Sequence, residues 1–285
     1  MYEIVKRRDL TPTVIELHIK APLVARKAEP GQFIILRVNE EGERIPLTIA
    51  GANKDEGTVK IIYHVVGATT RLLAEKKEGD SLQDFVGPLG MATRLEGLEK
   101  VCVIGGGVGC AIAMPIAEKL HELGKEVTSI IGFRNSEFVI CKEEFERASK
   151  RLVVMTDDGS FGRKGNVTLP LKEMLDSGER FDRIIAIGPL VMMKFVVETA
   201  RQFGVPVTVS MNPIMIDGTG MCGGCRLTLQ KEGERVVKFA CVDGPDFDGY
   251  EVDFDEALLR GRMYGEFERH AYKKTCNLYQ KENEA

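Results

Sequence analysis

A 285-residue chain that is 44% hydrophobic and 29% charged has the composition of a globular protein, long enough for two domains and a small third segment. Its 39 basic and 43 acidic side chains give a net charge of −4, which leaves no basic face for nucleic acid, and no apolar run approaches the ~20 residues of a membrane span. The charged, strand-like opening from Met1 to Arg8 does not read as a secretory leader, so a cytoplasmic chain with its seven cysteines reduced is expected.

Residues 1–97 read as short strands at 2–7, 13–20, 32–38, 45–50, 58–66 and 82–86, punctuated by Pro-Gly, Glu-Gly and Gly-Asp pairs, with apolar positions such as Val14, Leu17 and Ile19. Several short strands between such turns predict an antiparallel barrel. One helix, Thr69 to Glu75, interrupts them directly after Gly67. Thr69 and Thr70 offer hydroxyls and N–H groups at its start, which serve a phosphate or plain helix capping equally well.

From residue 98 to 210 strand and helix alternate, which predicts a parallel α/β domain. The loop Gly105, Gly106, Gly107, Val108 and Gly109 joins a buried strand to an apolar-faced helix, where a pyrophosphate can approach backbone and helix start. Cys110 holds the last glycine position of a G-x-G-x-x-G pattern and no acid ends the next strand, which weakens a Rossmann dehydrogenase reading. Two further loops, with Asp157, Asp158 and Gly159 in one and Gly188, Pro189 and Met192 in the other, leave the carboxyl ends of parallel strands and complete a lined crevice. Arg134 ends the second strand, either beside a nucleotide 2′-phosphate or as a solvated surface cation.

Residues 211–285 hold a glycine-rich loop and a charged tail. Asp217, Cys222 and Cys225 reproduce the four-then-two spacing of a plant-type [2Fe–2S] site with Asp in the first place, and a predicted hairpin turning at Glu232–Gly233 returns Cys241 to them. A bulky cluster wants backbone N–H groups turned toward its sulfides, which glycines permit. Structural zinc on the three cysteines, or a loop with free thiols, are the other readings of the same residues. Cys102, Cys110, Cys141 and Cys276 read as small buried or incidental residues.

Barrel, nucleotide domain and cysteine segment in this order resemble the ferredoxin–NADP reductase superfamily, and within it the electron-transfer subunits typified by the dihydroorotate dehydrogenase B small subunit. Pro46-Leu47-Thr48, Gly67 to Leu73 and Gly87-Pro88-Leu89-Gly90 are similar to that family's flavin-binding strand, helix start and turn. The resemblance implies an FAD site at Arg44, Pro46, Leu47, Thr48, Ile62, Tyr63, His64, Thr69 and Thr70, with Thr48 as its catalytic residue. It implies a site for NAD(H), with NADP(H) left open by Arg134, along Gly105–Gly109, Asp157–Gly159, Gly188, Pro189 and Met192, and a [2Fe–2S] cluster on Asp217, Cys222, Cys225 and Cys241. Three positions depart from the pattern: the arginine stands one residue early at 44, Thr69 replaces a glycine, and Ile187 replaces a cysteine. A one-residue shift on a strand turns a side chain to the other face. Asp217 and the acidic stretch after Cys241 look more like the branch of NADH-dependent reduced ferredoxin:NADP oxidoreductase small subunits, also called sulfide dehydrogenase small subunits. That branch implies a larger flavin and iron–sulfur partner, ferredoxin reached through the complex, and flavin-based electron bifurcation. The alternatives are an electron-transfer subunit for dihydroorotate oxidation and, from a different class, a zinc-binding nucleotide-sensing regulator.

Overall fold

The computed structural model describes residues 1–263 and Gly265. Cys276 and most of the expected charged tail lie outside the described residues. Among those described, no helix is long and apolar enough to cross a membrane.

The first sheet is built from β1 (Tyr2–Thr11), β2 (Val14–Lys20), β3 (Phe33–Arg37), β4 (Ile45–Asn53), β5 (Thr58–His64), β6 (Ser81–Leu82) and β7 (Asp84–Leu89), with α1 (Pro22–Ala25) and α2 (Ala68–Ala74) in its connections. Its order is β6-β1-β2-β5-β4-β3-β7, and every pairing is antiparallel. The two end strands are separated in sequence by Gln83 alone, whose N–H donates to the Arg37 carbonyl at 3.0 Å. One extended stretch thus pairs with β1 through Leu82 and with β3 through Asp84, so the sheet closes into a barrel without a free edge. Strands β2, β4 and β5 are apolar on both faces for a physical reason. Ile15, Leu17, Ile19, Ile49, Ile61 and Tyr63 fill the barrel, while Val14, Ala50 and Ile62 turn outward into a second core.

That second core belongs to the α/β half: β8 (Lys100–Gly106), α3 (Gly109–Glu122), β9 (Glu126–Phe133), α4 (Lys142–Ala148), β10 (Arg151–Thr156), β11 (Arg163–Lys164), α5 (Thr168–Asp176), β12 (Arg183–Ile187), α6 (Leu190–Arg201) and β13 (Val207–Ser210). The order β11-β10-β9-β8-β12-β13-β16, where β16 is Asp246–Asp248, reverses direction at β8, whose neighbours are β9 on one side and β12 on the other. Ligands of open α/β sheets bind at the carboxyl edge of such a switch point.

The remaining chain forms the hairpin β14 (Arg226–Lys231) and β15 (Glu234–Phe239), then α7 (Ala240–Asp243), β16 (Asp246–Asp248) and α8 (Phe254–Arg262). The hairpin turns at Glu232 and Gly233, both with left-handed backbone (φ 51 and 87), as a two-residue turn of primed type requires. Strand β16 pairs antiparallel with β13, so the segment after the cysteines finishes the second sheet rather than standing apart from it. A third core joins Phe33 and Ile35 of the barrel, the second sheet, and Cys225, Leu227 and Cys241.

Candidate functional site

A cleft of about 980 Å³ opens between the barrel and the switch-point edge of the second sheet. From the second sheet it is lined by Gly106, Gly107, Val108, Gly109, Arg134, Asp157, Gly188, Pro189 and Met192, all singled out from the sequence. Two of the glycines have steric work to do. A Cβ on Gly109 would lie 2.5 Å from the Ile187 carbonyl oxygen, and one on Gly106 would lie 2.3 Å from the Met192 sulfur. The glycine loop and the Gly188–Pro189 loop therefore approach too closely for side chains. Gly107 differs, with a left-handed φ of 55 and no atom within 4 Å of the Cβ position, so its backbone faces open space. Gly105 lies beneath, buried against Cys110. Asp158 and Gly159 turn away from the cleft, the Asp158 carboxylate accepting from the N–H and hydroxyl of Ser160 at 2.9 and 2.7 Å.

On the barrel side Pro46, Thr48 and His64 line the cleft. His64 Nε2 lies 3.1 Å from the Thr13 hydroxyl, and burial, followed by the Arg134 guanidinium, holds its imidazole below the ordinary value. The ring is therefore neutral at pH 7. The other six residues expected at the flavin do not line the cleft. Tyr63 is 2% exposed inside the barrel core, where burial pushes its phenol well up and its hydroxyl has no hydrogen-bond partner among the described residues. Ile62 packs toward α3 in the second core, and Leu47 packs against the barrel core, so neither lines the cleft. The Thr70 hydroxyl is engaged in capping α2, accepting from the N–H groups of Val66 and Gly67 and donating to the Gly67 carbonyl. Thr69 donates to Glu43 at 3.1 Å. Arg44 reaches the cysteine segment, its Nε donating to the Ile216 carbonyl at 3.0 Å.

The sequence reading missed Thr13, Phe33, Ser210 and Asn212, which also line the cleft. Ser210 ends β13 and Asn212 follows it; β13 is another strand of the same parallel sheet, so the carboxyl-edge rule applied to that strand was the available signal. Thr13 and Phe33 carry no such signal.

The cysteine loop is docked on the barrel by Gly218, whose Cβ position lies 2.7 Å from Leu89 Cδ1 and 2.9 Å from Ile35 Cδ1. Asp217 organises the turn: its two oxygens accept from the N–H groups of Thr219 at 2.8 Å and Cys222 at 2.7 Å. The Thr219 bond chiefly holds this carboxyl below its ordinary range, so it is ionised at neutral pH. Cys225 and Cys241 meet, with sulfurs 3.2 Å apart and both residues buried. Burial pushes the Cys241 thiol up to about 12, with the Cys225 contact adding to it. Cys222 stands exposed on the rim. Among the described residues no three His, Cys, Asp or Glu side chains are gathered tightly enough to hold a metal ion. The structure thus brings two of the four predicted ligands together and carries the other two on the same loop. The donor chemistry nonetheless fits a sulfur-bridged cluster, because backbone N–H groups of Gly224 and Cys241 already point at thiol sulfurs at 3.5 and 3.4 Å. The cleft fits a dinucleotide-type cofactor in size, cofactor sites running to ~300–1,000 Å³.

Comparison with known proteins agrees with both features. The model of the iron–sulfur cluster binding domain of dihydroorotate dehydrogenase B matches residues 212–253. The chain is 47% identical over 272 residues to the dihydroorotate dehydrogenase B (NAD(+)) electron transfer subunit homolog of Thermotoga maritima, covering 95% of this chain and 94% of that protein. It is 33% identical over 250 residues to the electron transfer subunit of dihydroorotate dehydrogenase B from Streptococcus pneumoniae, covering 86% and 94%. It overlays a solved structure of NADH-dependent reduced ferredoxin-NADP oxidoreductase, studied for flavin-based electron bifurcation, with a TM-score of 0.90 and 45% identity over 97% of this chain and 98% of that one. The ferredoxin reductase of carbazole 1,9a-dioxygenase shares the fold at a TM-score of 0.61 and 22% identity, covering 73% of this chain and 67% of that one.

Proposed function

The chain belongs to the electron-transfer subunit family of dihydroorotate dehydrogenase B, with a ferredoxin reductase-like fold, and on that premise we propose that it is an oxidoreductase subunit carrying FAD and a [2Fe–2S] cluster. It moves electrons between a nicotinamide nucleotide and a larger partner subunit. The observation that carries this reading is that one chain joins a closed barrel wall, a switch-point cleft and a thiol loop docked on that barrel.

In this reading Gly107 and the start of α3 receive the nucleotide's phosphates, and Met192 and Pro189 pack its nicotinamide end. Thr48 offers a hydroxyl and neutral His64 a ring nitrogen at the barrel wall, while the apolar cleft walls exclude water. Arg134, exposed at the rim, is where a 2′-phosphate would find a cation, which leaves NADP(H) open beside NAD(H). Asp217, Cys222, Cys225 and Cys241 would hold the cluster, with the buried Cys225 and Cys241 sulfurs already side by side. Bound FAD supplies the exchange between two-electron nicotinamide chemistry and the one-electron chemistry of an iron–sulfur centre. The 45% identity over nearly the whole chain favours the bifurcating type of partner, with a flavin and further clusters and with ferredoxin reached through the complex. The match at 212–253 favours a dihydroorotate dehydrogenase as the second reading, and co-purification with one large subunit or the other decides between them.

The experiment is a visible spectrum with flavin and metal analysis of wild type and Asp217→Asn. Wild type should contain about one FAD and about two irons per chain, without zinc. Asn keeps a carbonyl for one of the two loop N–H groups but is a poor anionic ligand. The variant should keep its FAD and lose iron affinity by more than the ~10–100-fold typical of supporting residues. Colourless, zinc-containing wild type would sink the reading, and a variant with full iron would remove Asp217 from the ligand set.

A further inference from the structure

Asp246 opens β16 and is a half-buried acid that neither the cleft nor the cysteine loop explains. Its Oδ2 accepts from the Thr93 hydroxyl at 2.6 Å, while Oδ1 is buried with no hydrogen-bond partner among the described residues. The groups facing it come from two elements, Thr93 from the chain linking the two sheets and Ser210 from β13, its cross-strand partner. Both are hydroxyls, and among the described residues no charged side chain acts on the carboxyl. Burial raises it above the ordinary carboxylate range against the pull of those two hydroxyls. Such a placement shifts the acid toward its protonated form, because the neutral form leaves no uncompensated charge in the interior.

Ser210 has a second neighbour, since it also lines the cleft, as does Pro245 immediately before Asp246. We propose that Asp246 and Ser210 form a proton relay opening on the cleft, which supplies the proton taken up when flavin bound there is reduced. The inference rests on the flavin reading above. A hydride brings two electrons and one proton, and the neutral reduced flavin needs one proton more. Along the relay the Ser210 O–H proton leaves toward the cleft as the Asp246 O–H proton passes to the Ser210 oxygen, so serine is regenerated and Asp246 becomes a carboxylate. When the two electrons leave singly to the cluster, two protons are given up. One returns to Asp246 by the reverse path and the other goes to water. Asp246 and Ser210 are positioning and proton-carrying groups distinct from Thr48 and His64 on the opposite wall.

The test uses holoprotein of wild type, Asp246→Asn and Ser210→Ala. After mixing with NADH, proton uptake is followed with an indicator dye and flavin bleaching by absorbance. In both variants proton uptake should lag bleaching by at least about 10²-fold, the usual contribution of a general acid. In the infrared, wild type at neutral pH should carry a protonated-carboxyl band that Asp246→Asn lacks and Ser210→Ala keeps. Unchanged proton uptake in flavin-loaded variants, or no such band in wild type, overturns the relay alone. Wild type purified without flavin overturns the relay and the functional reading together. Should Asp246→Asn fail to fold, Ser210→Ala still decides, because it leaves the acid in place.

Discussion

A buried carboxylate oxygen with no donor among the described residues makes residue 246 a source of pH dependence even in the absence of any ligand. Burial outweighs the Thr93 and Ser210 hydroxyls, so the folded carboxyl titrates above the ~3.9 of a free aspartate. Between those two values the folded chain holds the proton more tightly than the unfolded chain. Stability therefore falls as pH rises across that window, and the loss persists at higher pH. Asp246→Asn keeps an acceptor for Thr93 and removes the charge. Thermal unfolding between about pH 4 and about pH 8 should find the variant more stable at the upper end, by on the order of 1–3 kcal/mol, with the gap closing toward the lower end. A variant less stable at every pH would contradict a costly buried charge at this position.

The elements that build the cleft owe their precision to two loops in contact. Gly109 opens α3 with its Cα facing the Ile187 carbonyl, and a methyl there would meet backbone, which has no rotamer to escape through. Gly109→Ala should cost about 1–3 kcal/mol by overpacking and should weaken nucleotide binding, because the loop that moves is the loop that lines the cleft. At Gly107, where the Cβ space is open, alanine should cost about 1–2 kcal/mol for its left-handed backbone and disturb the Gly188–Pro189 loop little. Calorimetric unfolding and nucleotide titration of the two variants separate these effects, and equal binding losses would argue against loop contact as the cause. Element positions such as these were legible in the sequence because local patterns encode them: alternation wrote the barrel strands, and glycines marked the loops at strand ends. What stayed hidden depends on which of two faces a pattern presents, or on partners far along the chain. Period-two alternation separates Tyr63 from its neighbours Ile62 and His64, yet with apolar residues on both faces it cannot say that Tyr63 points into the barrel. Thr70 has the residue type of a phosphate ligand and of a helix cap, and only the hydrogen bonds at Val66 and Gly67 reveal that it caps. The pairing of β16 with β13 joins a three-residue strand to a partner some forty residues earlier, too short a run for periodicity to announce.

At the scale of the whole molecule, the last third of the chain adds its own ties between barrel and nucleotide sheet to the core that Val14, Ala50 and Ile62 share with the α/β half. Met91 N–H donates to the Gly244 carbonyl at 2.7 Å, Thr93 reaches Asp246, and Arg44 reaches the Ile216 carbonyl beside Asp217. The last contact matters for function because it joins the residue expected from the family pattern at the flavin to the cysteine loop. Arg44 is 36% exposed and its guanidinium lies 3.9 Å from Asp84, so the ion pair itself contributes little, ~0–1 kcal/mol. Its larger effect is geometric, fixing where the loop begins relative to the cleft. Arg44→Ala should therefore keep its stability within about 1 kcal/mol and keep its FAD. Its cluster should show an altered paramagnetic resonance spectrum, and reduction of the cluster by NADH should slow while flavin bleaching does not. Rapid-mixing absorbance and resonance spectra of the frozen reduced protein read both. Loss of FAD with an unaltered cluster would return Arg44 to the flavin and leave the cysteine loop held by Gly218 and the barrel wall alone.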